Sequence, residues 1–204
     1  ALLYPAAVPQ GSAWLAAWAL VAAISVADDW TGVRPPIRLA VHVLAALIVA
    51  WAMLRTDGDE GLPFALAIAG MAFAIVWGAN LFNFMDGSDG LAALMAICGF
   101  GAFGVALARA GLRADACFAL VAATSVFLAV NLPPARVFMG DGGSVGLGFL
   151  AGVFGVAGIH AGIWPAWFPL LVFLPFVADA TLTVLRRLAR GERVARAIVV
   201  VPGA

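Results

Sequence analysis

The residues able to do chemistry are acids and amides placed at the edges of apolar runs. Asp28 and Asp29 lie in ISVADDWTG, Asn80, Asn83, Asp86 and Asp89 in NLFNFMDGSDG, and Asn131 and Asp141 in NLPPARVFMGDGGS. Two adjacent carboxylates closing a helix oppose its dipole, which points to a compensating cation or a metal beside Asp28 and Asp29. Asn80, Asn83 and Asp86 recur every third residue and so share one side of a helix end. Amides inside an apolar span are costly there and are usually functional. Gly140, Gly142 and Gly143 surround Asp141, with Ser144 as a cap for the helix that follows. A glycine-rich turn entering a helix offers backbone N–H groups to phosphate. A carboxylate beside it suits Mg²⁺, which takes one or two protein carboxylates and completes its shell with phosphate oxygens. Each motif has a plainer reading: a helix end meeting water, an Asp-Gly surface turn, a flexible loop. Together they indicate chemistry on a metal-bound diphosphate.

These residues must be held by elements that live in lipid. The chain has 204 residues, of which 65% are hydrophobic and 11% charged, against about 25% charged in soluble domains. The mean hydropathy is +1.08. The fold class is therefore all-α, a polytopic membrane helix bundle, because lipid offers no partner to free backbone groups. Apolar runs predict seven spans: Gly11 to Ala27, Arg38 to Leu54, Phe64 to Phe82, Leu91 to Ala108, Cys117 to Leu132, Val145 to Ile163, and Trp167 to Leu185. Residues 1–204 read as one transmembrane domain. Net charge is zero, every cation is an arginine, and nothing suggests nucleic acid or a secretory leader.

Seven spans put the connecting segments alternately on two sides. The side that holds the Asp28, Asp86 and Asp141 loops also holds Arg34, Arg38, Arg136, Arg186, Arg187, Arg190, Arg193 and Arg196. The other holds Arg55, Arg109 and Arg113. The excess of positive charge predicts that the acidic side is cytoplasmic. All three acidic loops then meet on one face. Trp51, Trp164 and Trp167 are predicted at the outer interface and Trp30 at the inner one. Cys98 and Cys117 read as packing residues, as do His42 and His160. Gly148, Gly152 and Gly155 read as helix-packing positions. Asp179 reads as a charge paired with Arg186, two turns along the last span.

VADDW, NLFNFMDGSDG and NLPPARVFMGDGGS, in this order and at helix-length spacing, resemble the motifs of the polyprenyl-phosphate N-acetylhexosamine-1-phosphate transferases, glycosyl transferase family 4. The resemblance runs from about Ala27 to Arg187. It implies transfer of a sugar-1-phosphate from a UDP-N-acetylhexosamine to undecaprenyl phosphate, releasing UMP and starting a lipid-linked cell-envelope glycan such as O-antigen lipopolysaccharide. It implies Mg²⁺, with Mn²⁺ as a substitute. It implies a bacterial inner membrane with the site on the cytoplasmic face, and it allows a homodimer. By motif position Asp28 and Asp29 fall by the lipid phosphate and the metal, and Asp141 binds Mg²⁺ together with Asp29. Asp86 and Asp89 serve the nucleotide and the catalytic centre. Asn80, Asn83 and Asn131 place the diphosphate, and Phe138 stacks on uracil.

The family has about ten spans and a histidine motif after the arginine pair matched by Arg186 and Arg187. The expectation is that N-terminal spans and the histidine loop are lacking here, since the tail reads RRLARGERVARAIVVVPGA. An inactive or truncated homologue is one alternative. Another is an acid-lined transporter, which predicts acids at mid-membrane depth. Aromatic prenyltransferases and CDP-alcohol phosphotransferases repeat their aspartates every four residues within one helix-loop, a series that this chain does not contain.

Overall fold

A computed structural model of the protein describes residues 13–55 and 62–190. Its elements are α1 (Ala13–Thr31), α2 (Pro35–Leu54), α3 (Leu62–Met85), α4 (Leu91–Arg109), α5 (Asp115–Asn131), α6 (Gly140–His160), α7 (Trp167–Val172) and α8 (Leu174–Ala189). No strand occurs among the described residues. The chain is a multi-pass helical membrane protein.

The span count differs from the sequence expectation. Five helices among the described residues are long and apolar enough to cross a membrane: α1, α2, α3, α4 and α6. Helix α5 is apolar but only 17 residues long. The predicted last span is divided into α7 and α8. Pro175 accounts for the division, because it has no N–H for the Leu171 carbonyl and its ring crowds that group. The ladder restarts one turn on, with Val177 N–H donating to the Phe173 carbonyl at 3.0 Å.

Helix α6 is the central element. Helices α1 and α2 cover one flank, where Val21, Val49, Ile75 and Phe149 are fully buried. On the other flank Phe82, Phe100, Phe103, Phe154 and Phe176 form an aromatic core with α4, α7 and α8. Phe82 and Phe176 meet edge to face at 5.1 Å. Helix α3 crosses α6 where both carry glycine. A Cβ on Gly78 would lie 2.8 Å from the Gly148 carbonyl oxygen, and one on Gly152 would lie 2.6 Å from the Ile75 Cα. Small residues at such a crossing let two backbones touch. Gly155 is less constrained and faces Pro169 of α7 at 3.4 Å.

Two other sequence expectations change. Trp164 is buried, stacked on Phe103 at 4.9 Å, and its Nε1 donates to the Gly155 carbonyl at 3.1 Å. It belongs to the core, because this hydrogen bond and stack satisfy both ends of the indole. Trp30 and Trp167 are exposed, 85% and 60%, as an interfacial position requires. Asp179 and Arg186 are both exposed, and no ion pair joins them. Cys98 and Cys117 are free thiols.

Candidate active site at the N-terminus of helix α6

The α1–α2 turn builds the first half of the site. Gly32 has φ +65° and returns its N–H to the Asp28 carbonyl at 2.9 Å, closing α1 with the left-handed residue such ends favour. Pro35 and Pro36 open α2, where no intrahelical N–H is needed. The resulting antiparallel hairpin brings Arg38 back to Asp28. Nη1 of Arg38 pairs with Asp28 Oδ2 and also with Asp141 Oδ2. The three side chains are only 13%, 9% and 22% exposed. Arg38 is thus the cation that the Asp28-Asp29 pair demanded. One turn deeper, Ser25 Oγ and His42 Nε2 are buried with no hydrogen-bond partner. The interface between α1 and α2 therefore stays polar past Asp28.

Helix α6 starts at Gly140, five residues before the span predicted from sequence. The cause is tertiary. Asp29 of α1 accepts from Asp141 N–H through Oδ1 and from Gly142 N–H through Oδ2, each at 3.0 Å. Asp86, just after α3, faces the N–H groups of Gly140 and Met139. Asp29 thus satisfies two of the four orphan donors of the helix end, and the Asp86 carboxylate adds a second negative charge beside it. These are the amides that the sequence offers to phosphate; in the fold they hold the protein's own acids. Gly140 is required twice over: its φ is +67°, and a Cβ there would lie 3.0 Å from Asp29 Oδ2. Ser144 is not a cap. It donates to the Gly140 carbonyl at 2.8 Å and to Asn83 Oδ1 at 3.4 Å inside the first turns. Burial raises the Asp86 pKa above the usual carboxylate value, the Gly140 and Met139 N–H groups counteract this, and the Asp29 charge adds to the rise.

A second group of predicted residues fastens the loops together. Asn131 is 2% exposed. Its Oδ1 accepts from Gly90 N–H at 3.0 Å and its Nδ2 donates to the Val137 carbonyl at 2.9 Å. Asp89 Oδ2 accepts from Ala135 N–H at 3.0 Å. The α3–α4 and α5–α6 loops are therefore tied side by side. Phe138, on the tied loop, is 56% exposed. Gly90 begins α4 with φ +72°.

Beside the acids, α2, α3 and α8 border an apolar cavity of about 490 Å³ that is open along one side. Leu39, Val43, Phe73 and Trp77 line its sides, and Asn80 and Asn83 are among its few polar lining groups. Asn80 Nδ2 donates to the Val76 carbonyl at 2.8 Å. Through its contact with Ser144, Asn83 links the cavity to the first turns of α6.

Asp28, Asp29, Asp86 and Asp141 therefore meet at one helix end, Asn80 and Asn83 border it through the cavity, and Asp89 and Asn131 sit in the adjoining loop clamp. The sequence reading missed Arg38, which it counted only as a cytoplasmic positive charge. The signal available was its position ten residues after Asp28, across the turn Gly-Val-Arg-Pro-Pro. The segment where a histidine motif would fall lies outside the described residues.

The model of glycosyl transferase family 4 matches residues 12–159. The chain belongs to glycosyl transferase family 4. Among relatives of this family member, an undecaprenyl-phosphate alpha-N-acetylglucosaminyl 1-phosphate transferase of Yersinia pestis is 32% identical over 71% of this chain and 43% of its own. A phospho-N-acetylmuramoyl-pentapeptide-transferase of Thermotoga neapolitana is 35% identical over 76% and 51%. A probable undecaprenyl-phosphate N-acetylglucosaminyl 1-phosphate transferase of Bacillus subtilis is 25% identical over 83% and 50%. The chain spans about half the length of the curated relatives it matches. The family match covers α1 to nearly all of α6, the elements that carry every acid of the cluster.

Proposed function

We propose that the protein transfers a sugar-1-phosphate from a UDP-N-acetylhexosamine to undecaprenyl phosphate, at the cytoplasmic face of a bacterial inner membrane. The observation that carries this reading is the convergence of Asp28 and Asp141 on one cation at the end of α6, beside an apolar cavity. A polar cluster of acids and one arginine next to an apolar groove suits a reactant that is part charged headgroup and part hydrocarbon.

Asp28 and Asp141 suit Mg²⁺ as a carboxylate pair already directed at a single positive charge. Mg²⁺ dehydrates reluctantly and takes one or two protein carboxylates, drawing its other ligands from substrate phosphates and water. Motif position pairs Asp29 with Asp141; the two hydrogen bonds that Asp29 accepts from backbone N–H groups favour Asp28 in its place. Bound there, the metal supplies charge stabilisation to the diphosphate and the departing UMP.

The lipid phosphate is mostly dianionic at pH 7, since its second pKa is about 6. It is nucleophilic without a strong base. In this reading its oxygen attacks the β-phosphorus of the UDP-sugar, the bond from that phosphorus to the oxygen of UMP breaks, and UMP leaves. Asp28 orients the lipid phosphate. Arg38 lowers the repulsion between the two anions. Asp29 and Asp86 fix the end of α6 against α1 and α3. Asp89 and Asn131 hold the loop that presents Phe138 to uracil, and Asn80 and Asn83 border the diphosphate from the cavity side. The polyprenyl chain enters between α2, α3 and α8.

Val43→Trp, which fills the cavity wall, is expected to raise the KM for undecaprenyl phosphate about tenfold, a loss of about 1.4 kcal/mol in apparent binding. The KM for the UDP-sugar stays unchanged. Steady-state kinetics with each substrate varied in turn checks this; equal effects on both would remove the cavity from lipid binding. The reading as a whole is tested by UMP release. Membranes containing the protein and supplied with undecaprenyl phosphate should release UMP from at least one UDP-N-acetylhexosamine of a panel. Release from none defeats it. A cysteine placed at Ser88 should resist impermeant labelling from outside intact cells; labelling there would invert the orientation.

A further inference from the structure

We infer that Arg38 is an internal stand-in for the divalent cation, holding Asp28 and Asp141 together until the metal displaces it. The inference rests on the metal reading above. A single atom, Nη1, contacts one oxygen of each carboxylate, from α1 on one side and α6 on the other. The two acids meet at this atom although their sequence positions are far apart, and little of either side chain is exposed. Two carboxylates brought this close repel each other unless a cation stands between them. Asp29 and Asp86 also lie at this helix end and add to the negative field.

A guanidinium and a divalent ion cannot share the position, because like charges a few ångströms apart in a half-buried setting repel strongly. Arrival of the metal must push Arg38 out. Its long stem, rooted in the second turn of α2, permits that movement. Both ion pairs use Nη1, which leaves the rest of its five-donor fork for phosphate oxygens. Arg38 then passes from the carboxylates to the incoming diphosphate as the metal takes its place. The consequence is that metal and diphosphate bind together, and metal alone binds weakly. The protein offsets part of the charge of its acids at rest without holding an idle ion.

Mn²⁺ titration followed by electron paramagnetic resonance, on the full chain in detergent without nucleotide, tests this. Arg38→Met is expected to bind Mn²⁺ at least about tenfold more tightly than the unaltered protein, since the competing positive charge is gone. Its thermal unfolding temperature should rise on addition of Mn²⁺, whereas that of the unaltered protein barely moves. Adding Asp141→Asn to Arg38→Met should abolish both gains. Equal or weaker Mn²⁺ binding by Arg38→Met, in a background where Asp141→Asn still removes binding, overturns the stand-in and leaves the metal site intact. Mn²⁺ binding indifferent to Asp141→Asn, or no binding by any variant with or without UMP, overturns the metal reading as well. Arg38→Lys, with a shorter cationic stem, decides the matter if Arg38→Met does not accumulate: tighter binding than the unaltered protein supports displacement, and equal or weaker binding refutes it.

Discussion

Asp141→Asn is expected to reduce UMP release from the UDP-sugar by about a thousandfold or more, the scale of losing a metal-held charge at a phosphoryl centre. The substitution is nearly isosteric. The backbone N–H groups of residues 141 and 142 still reach Asp29, so the end of α6 stays capped. What disappears is one of the two charges directed at the position between α1 and α6. Arg38 keeps only Asp28, and a divalent ion loses a carboxylate that water replaces poorly. Folding is checked by thermal unfolding in detergent, where the variant should stay close to the unaltered protein. Turnover at the unaltered rate in a folded Asp141→Asn protein would remove the metal role from this residue.

The second large effect lies away from the acids. Gly148→Ala places a Cβ 2.7 Å from the Ala79 Cα and 2.9 Å from the Phe82 Cβ, besides a closer approach to the Gly78 carbonyl. The first neighbour is backbone and cannot rotate aside. Helices α3 and α6 must separate, at a cost of about 1–3 kcal/mol as in other overpacked cores. Helix α3 leads to Asn83 and Asp86 while α6 carries Asp141, so the separation also opens the acid cluster. Unfolding temperature and transfer rate should fall together. Gly70→Ala, on the partner helix α3, meets nothing within 4 Å and is the control. Replacing a helical glycine by alanine there should raise stability by up to about 1 kcal/mol. A Gly148→Ala protein as stable as the Gly70→Ala protein would mean that the α3–α6 crossing does not fix the site.

The helical membrane class is legible in composition, because so few charges cannot serve a soluble surface. The meeting of three loops on one face is legible from alternation, and Asp28, Asp29, Asp86 and Asp141 do meet. The start of α6 is not legible. GDGGS reads as a loop by its glycines, and the Asp29 carboxylate from α1 is what caps it as a helix end. Arg38 escapes for a related reason: its partners are set by the α1–α2 turn and by α6, not by its neighbours in sequence. Asn131 and Asp89 carry polar groups at motif positions, yet their bonds to Gly90, Val137 and Ala135 depend on two loops lying side by side. The split of the last span had a local sign in Pro175 that hydropathy averages away.

The reaction is defined most directly by which bond of the UDP-sugar breaks. The protein, with undecaprenyl phosphate, Mg²⁺ and a UDP-N-acetylhexosamine labelled with ³²P at the β-phosphate, should move the label into the lipid phase and release unlabelled UMP in equal amount. Release of labelled UDP, with only the sugar passing to lipid, would contradict it, as would label that stays in water with every sugar of the panel.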